Sequence, residues 1–206
     1  MQPKRSPIAL AILAMLYEAP MHPYRMQRLI KERGKDEVIN VAQRASLYQT
    51  LPRLERDGLI AARQKETAEK RPERTVYQIT RKGRSTVLEW MRQMLSRPKS
   101  EFAEFPAALS FLPLLSPKDA LHQFELRAAA IEAELARLEG ELTTAAVAVP
   151  RLFLLETEYL RALQATELAW VQQIVADLRA ARLDWNEAWL RQIAARFAPD
   201  LATGGE

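Results

Sequence analysis

Nine consecutive apolar residues, Ile8 to Leu16, follow Ser6-Pro7, a cap residue with proline at the first helical position. The pattern predicts a buried helix over residues 7–18. A second helix is predicted from Pro23 to about Arg33, with Met26, Leu29 and Ile30 as its apolar stripe and Gly34 as its break. Leu47, Leu51 and Leu54 then recur at i, i+4 and i+7. Ser46 with Gln49 three places on reads as a capping box at the start of this third helix, and Gly58 as its stop. After Gly58 the period shortens. Residues 59–65 and 75–79 read as strands flanking a charged loop, Glu66 to Arg74, which makes a two-stranded hairpin with an exposed tip. Thr80 caps a further helix with Val87, Leu88, Met91, Met94 and Leu95 at helical spacing.

Beyond the break at Ser96 to Ser100 the pattern is different. Phe102, Phe105 and Phe111 mark a short apolar helix whose rings are expected to serve as core packing. Ser116-Pro117 opens a long helix in which Leu121, Phe124, Ala128, Ile131, Leu135, Leu138 and Leu142 alternate at steps of three and four, a heptad seam. Val149-Pro150 turns the chain. The next helix has two apolar faces, Leu152, Leu155, Tyr159 and Leu163 on one and Leu168, Val171, Val175 and Leu178 on the other. One partner cannot cover both, so part of this helix is expected to bury against another chain or a third helix. Asp184 with Glu187 predicts a last capped helix through Phe197. The expected organisation is an N-terminal domain over 1–97, a helical dimerisation and effector domain over 98–200 and a flexible tail over 201–206.

Charge divides the chain at the same place. Residues 1–99 carry 21 Lys and Arg against 10 Asp and Glu, a balance of +11, whereas residues 100–206 carry 9 against 16, a balance of −7. A basic half joined to an acidic half suggests a polyanion-binding module attached to something that must not bind the polyanion. Three helices, a basic hairpin and a closing helix follow the order of a winged helix-turn-helix, whose second motif helix enters the DNA major groove. With the leucines inward, Ala45, Gln49, Pro52, Arg53 and Arg56 face outward, and Ser46 and Tyr48 sit at the flanks. Gln pairs with adenine and Arg with guanine, so this face is expected to be a reading surface, against the alternative of plain solvated positions on an amphipathic helix. Lys65, Lys70, Arg71 and Arg74 cluster where a wing would meet phosphates or a minor groove. Tyr24 and Arg44 complete the expected DNA-contact set. His22, just before a helix, is expected to be a cap or a phosphate contact.

The residues also carry a family resemblance. His22-Pro23-Tyr24, then Ser46-Leu47-Tyr48 with Leu51, Leu54-Glu55 and Gly58-Leu59-Ile60, then Pro72, Arg74, Tyr77, Thr80 and Gly83 with Val87, Leu88 and Trp90 following, resemble PadR-type transcriptional regulators. The match runs in order from residue 7 to about 95. The acidic helical residues 100–180 are similar to the family's longer C-terminal region, the virulence-activator α C-terminal domain, best at Leu155-Glu156 through Glu167-Leu168-Ala169-Trp170. The resemblance implies a dimeric DNA-binding repressor, often relieved by a small aromatic or phenolic effector. Two positions depart from the family. Pro23 stands where a glycine is common. Gln49 stands where a proline often follows the Ser-Leu-Tyr tripeptide, and Pro52 sits one turn later, where it crowds the Tyr48 carbonyl and predicts a kink.

The fold class expected is therefore mainly α with a small β-hairpin wing, an N-terminal winged helix-turn-helix and a C-terminal antiparallel helical coiled coil that dimerises. The dimer is assigned to Leu121, Phe124, Ile131, Leu135, Leu138 and Leu142 with Leu168, Val171 and Val175. Tyr159 and Trp170 are candidates for an effector pocket, against the alternative of plain core packing. With no cysteine and only His22 and His122, thiolate chemistry is excluded and imidazole-centred sites have little to build on. His122 sits beside the seam and is read as a surface or interface residue. No phosphate-binding glycine loop or nucleophile elbow appears, so no enzyme, cofactor or metal is expected. No apolar run approaches the 18 or more residues of a membrane span, and Ser6-Pro7 with a poor cleavage site argues against a signal peptide, so a cytoplasmic protein is expected. The partners expected are pseudo-palindromic double-stranded DNA, a second copy of the chain and a small aromatic ligand. Two other readings stay open, a winged-helix protein-interaction scaffold with a coiled-coil arm and a non-specific nucleoid-binding protein.

Overall fold

The computed structural model describes residues 4–35, 44–66, 74–98 and 103–197. The chain divides into two compact units, Met1–Ser100 and Glu101–Glu206. Unit 1 runs α1 (Pro7–Glu18), α2 (Pro23–Glu32), α3 (Arg44–Arg56), β1 (Ile60–Glu66), β2 (Arg74–Ile79) and α4 (Arg81–Ser96). Ser6 accepts from the Ala9 amide at 3.3 Å and Pro7 fixes the first turn, as the Ser-Pro pair implies. α1 buries Ala9, Ala11, Ile12, Leu13, Met15 and Leu16, so it is apolar nearly all round and occupies the centre of this unit. Met26 and Ile30 of α2, Leu47, Leu51 and Leu54 of α3, and Val87 and Trp90 of α4 complete the core with Leu59 and Ile60.

The junctions are tightly determined. Gly58 takes φ +72, and the Leu59 amide donates to the Leu54 carbonyl at 2.9 Å, which closes α3 with a left-handed C-terminal turn. Thr80 then joins three segments. Its hydroxyl accepts from the Gly83 amide at 3.0 Å, capping α4, and donates to the Gly58 carbonyl at 2.8 Å. A Cβ at Gly83 would lie 2.0 Å from the Leu59 carbonyl oxygen, so only glycine permits this approach of helix to hairpin. β1 and β2 pair antiparallel from Ile60 opposite Ile79 to Glu66 opposite Arg74, with a bulge between Ala62 and Gln64. Met21 and Tyr77 exchange both backbone hydrogen bonds, at 3.0 and 3.1 Å, so the segment before α2 forms an added bridge against β2.

Two starts differ from the sequence expectation. α3 begins at Arg44, so Ser46 lies inside the helix, and its carbonyl accepts the Thr50 hydroxyl at 2.7 Å; Ser46 is not the cap. The last helix, α8 (Glu187–Phe197), is capped by Asn186, whose Oδ1 accepts from the Trp189 amide at 2.9 Å. Asp184 instead accepts from its neighbour Trp185. At α8 two residues, Asp184 and Asn186, have capping chemistry, and spacing to a downstream Glu or Gln does not choose between them. Pro52 lies within α3, which runs unbroken past it.

Unit 2 runs α5 (Glu104–Ser110), a 3-10 turn (Leu112–Leu114), α6 (Pro117–Ala145), a second 3-10 turn (Arg151–Phe153), α7 (Leu155–Arg179) and α8. Arg179 pairs with Glu125, Gln172 with Glu132 and Arg161 with Glu139, so α6 and α7 run antiparallel in a fixed register. The Trp185 indole donates to the Leu115 carbonyl at 2.9 Å and holds the start of α8 against the α5–α6 connection. Among the described residues no helix is long and apolar enough to cross a membrane, and no group of three metal-ligating side chains occurs. The expected tail, 201–206, lies outside the described residues.

Candidate nucleic-acid interface

α3 presents two faces. Leu47, Thr50, Leu51 and Leu54 are buried, and Tyr48, Gln49, Pro52, Glu55 and Arg56 are exposed. The expected reading surface is thus the solvent surface of α3. Gln49 is exposed, as a base-reading side chain must be. Arg56 is also exposed, with its guanidinium 3.7 Å from the Asp57 carboxylate. Arg53 behaves differently. It is partly buried, and its guanidinium donates to the Lys4 carbonyl at 3.0 Å, so it braces the residues before α1. Ser46, half-buried within α3, presents its backbone to Thr50. Arg44, Lys65 and Arg74 have described backbone at the first residue of α3 and in the strands, while their side chains lie outside the described residues, as do Lys70 and Arg71 entirely.

A cleft of about 570 Å³ opens beside this surface. Its lining comes from three elements: His22, Pro23 and Tyr24 at the start of α2, Tyr48, Leu51 and Pro52 of α3, and Thr75 and Tyr77 of β2. His22 is the N-cap residue of α2 by position, while its side chain makes no cap hydrogen bond there; its Nδ1 lies 3.1 Å from the Thr75 carbonyl. Burial and, secondarily, the Glu55 carboxylate hold the Tyr77 phenol above its ordinary value, so it is a neutral hydroxyl near pH 7. Glu55 also accepts from the Ala62 amide at 3.2 Å, which ties α3 to the hairpin. Sequence reasoning named Tyr24 and Tyr48 but missed Thr75 and Tyr77. The available signal was β-strand alternation, which puts residues 75 and 77 on one face.

In unit 2 the heptad seam has found a partner within its own chain. Phe124, Ile131 and Leu138 of α6 and Val171 and Val175 of α7 are buried, with Leu121, Ala128, Leu135 and Leu168 packed partly buried around the same core and Leu142 half-buried near the end of α6. Within the chain, the side chains of this core pack α6 against α7. The other face of the α7 region stays open: Leu152 is 71% exposed, Leu155 47%, Tyr159 63% and Leu163 49%.

Trp170 lies in an aromatic cluster. Its ring stands edge-on to Phe105 at 6.0 Å and to Phe124 at 6.3 Å, and those two stand 6.5 Å apart. Arg127 covers the Phe105 ring at 3.4 Å and forks onto Glu167. Tyr159 does not join this group. Eleven residues of helix separate it from Trp170, about 16 Å along the axis. Phe111 is exposed rather than packed, and Phe102 lies outside the described residues.

Residues 12–89 match the family model described as the transcriptional regulator PadR-like family. No curated protein sequence matches the chain. Among solved structures, the chain is similar to Bacillus subtilis PadR in complex with operator DNA, with TM-score 0.66 and 20% identity over 82% of this chain and 98% of that one. It is equally similar to the same protein in complex with p-coumaric acid, with TM-score 0.66 and 21% identity over 84% and 99%. The Vibrio cholerae virulence activator AphA matches with TM-score 0.63 and 20% identity over 84% and 99%. At these identities the likeness is one of fold, and it extends through the helical second unit. The match over residues 12–89 falls on a unit with three helices, a hairpin and a closing helix in that order, so this part of the chain is similar to the PadR-like family of transcriptional regulators.

Proposed function

We propose that this protein is a dimeric, sequence-specific DNA-binding regulator, acting as a repressor that a small aromatic effector relieves, and not an enzyme. The observation that carries the reading is the exposed face of α3, where Tyr48, Gln49 and Arg56 project from a unit whose sequence carries a balance of +11. Operator DNA in the similar Bacillus subtilis PadR structure supports the partner, and p-coumaric acid in another supports the effector class. Gln49 is assigned to a base edge and Tyr24, Tyr48 and Arg56 to the adjoining strands. Arg44, Lys65, Lys70, Arg71 and Arg74 supply charge toward phosphates. Arg53 acts through the Lys4 carbonyl it holds. The dimer is assigned to the open face at Leu152, Leu155, Tyr159 and Leu163, since contiguous exposed apolar side chains of this kind mark association surfaces. The effector is assigned to the Trp170 cluster of that unit.

Binding titrations at several salt concentrations test it, on the duplex that a footprint with this protein protects upstream of its own coding sequence and on a scrambled duplex. Gln49→Ala should cost on the order of 1–3 kcal/mol on the specific duplex and relax preference at particular base pairs. Lys70→Ala or Arg71→Ala should weaken both duplexes and reduce the salt slope by about one for each phosphate no longer neutralised. Equal losses on both duplexes for every variant would remove the reading role of α3 and leave non-specific attachment.

A further inference from the structure

We propose that the cleft between α2, α3 and the hairpin is a binding site for an uncharged planar aromatic molecule, whose occupancy competes with DNA for the outward face of α3. This site is distinct from the Trp170 cluster of unit 2. The binding half stands on the cleft alone, and the competition half rests on the DNA-binding reading above.

The size is suitable, since ligand clefts run to about 300–1,000 Å³ and this one holds about 570 Å³. Its chemistry selects the class. Tyr24, Tyr48, Tyr77 and His22 offer ring faces and edges, which favour stacked and edge-on partners, and the phenol groups with Thr75 offer hydrogen bonds to a ring N–H or hydroxyl. Among the described lining residues none is Lys, Arg, Asp or Glu, so the lining itself offers a carboxylate or ammonium no direct ion pair in exchange for its water. The walls are preformed. The Met21–Tyr77 bridge fixes the base of the hairpin to the start of α2, His22 meets the Thr75 carbonyl, and Glu55 holds the Ala62 amide. The two mouth residues are available, Tyr24 at 63% and Tyr48 at 50% exposure. Tyr48 and Pro52 belong both to the cleft and to the exposed surface of α3, so a ring seated here stands where a DNA strand flanking that helix would run.

The test is fluorine NMR of the full-length protein labelled with fluorotyrosine, its five tyrosines assigned by single Tyr→Phe changes and titrated with indole. Tyr24, Tyr48 and Tyr77 should shift together along one isotherm while Tyr17 and Tyr159 stay fixed. Tyr48→Ala, and separately Tyr24→Ala, should raise the indole Kd about tenfold or more with the remaining resonances still dispersed. Cyclohexanol, which lacks the ring system, and benzoate, which carries charge, should leave the spectrum unchanged. No shift, a shift at Tyr159 alone, an equal response to cyclohexanol or benzoate, or an unchanged Kd in both variants would overturn the site. Added operator duplex should then raise the indole Kd. DNA that binds without changing that Kd overturns the competition and leaves the DNA-binding reading intact. DNA that fails to bind while indole gives the full signature overturns the DNA-binding reading and leaves the site.

Discussion

Single residues determine how unit 1 closes. Gly83 is the clearest case, because its missing Cβ lets α4 approach the Leu59 carbonyl. Gly83→Ala forces two backbone segments apart and should destabilise unit 1 by about 1–3 kcal/mol or more, read as a lower urea midpoint. Glu18 makes a second, pH-dependent contribution. Its carboxylate accepts two Arg33 N–H bonds at 2.6 and 2.7 Å, and these hold it below its ordinary value of 4.5. A depressed carboxylate stabilises the fold above its ordinary pKa, and that stability is lost as pH falls through the folded value. Glu18→Gln should therefore lower the urea midpoint at pH 7, and the difference from the wild type should fade toward pH ~3. Both side chains are about half exposed, so the effect is small and shrinks in high salt. The sequence showed Gly83 as one residue of a family-like pattern without its contact to Leu59, and did not show Glu18 and Arg33 as partners at all. Each depends on a contact between elements, which no local pattern records.

At the scale of elements, periodicity located the helices well but did not name their partners. The heptad seam of α6 was legible residue by residue, yet its spacing reads the same whether the opposing helix belongs to this chain or another. The turn at Val149-Pro150 was the local cue that a partner lay close in sequence. Leu138 is fully buried within the chain, an assignment to the core of unit 2, so Leu138→Ala should cost about 2–5 kcal/mol in unit 2 stability, and Leu138→Asp should unfold that unit. Circular dichroism would show helix loss in Leu138→Asp. Helix retained together with a change in mass by sedimentation would contradict that assignment. The opposite case is the start of α7. Leu155→Asp with Leu163→Asp should keep the helix content, because both side chains are already half exposed, and should convert a dimer to a monomer in sedimentation.

For the whole molecule, the described residues form two buried cores with no member in common, one around α1 and one between α6 and α7. Two cores that do not share side chains need not melt together. Calorimetry of the full chain should resolve two transitions, with Gly83→Ala moving one and Leu138→Ala the other; one transition that moves with both changes would refute this. The division was visible early as charge, since the basic half and the acidic half part near residue 100. The cleft was not visible, because it needs His22, Tyr48 and Tyr77 to meet from three separate stretches of chain.

The bridge between Met21 and Tyr77 has a mechanical meaning. Two reciprocal backbone bonds make the base of the hairpin and the entry to α2 one abutment, so neither can shift without breaking both. In hydrogen exchange the Met21 and Tyr77 amides should therefore open as a pair, with matched protection factors. A force applied to the hairpin would then reach the start of α2 directly, through the backbone, without passing through the core.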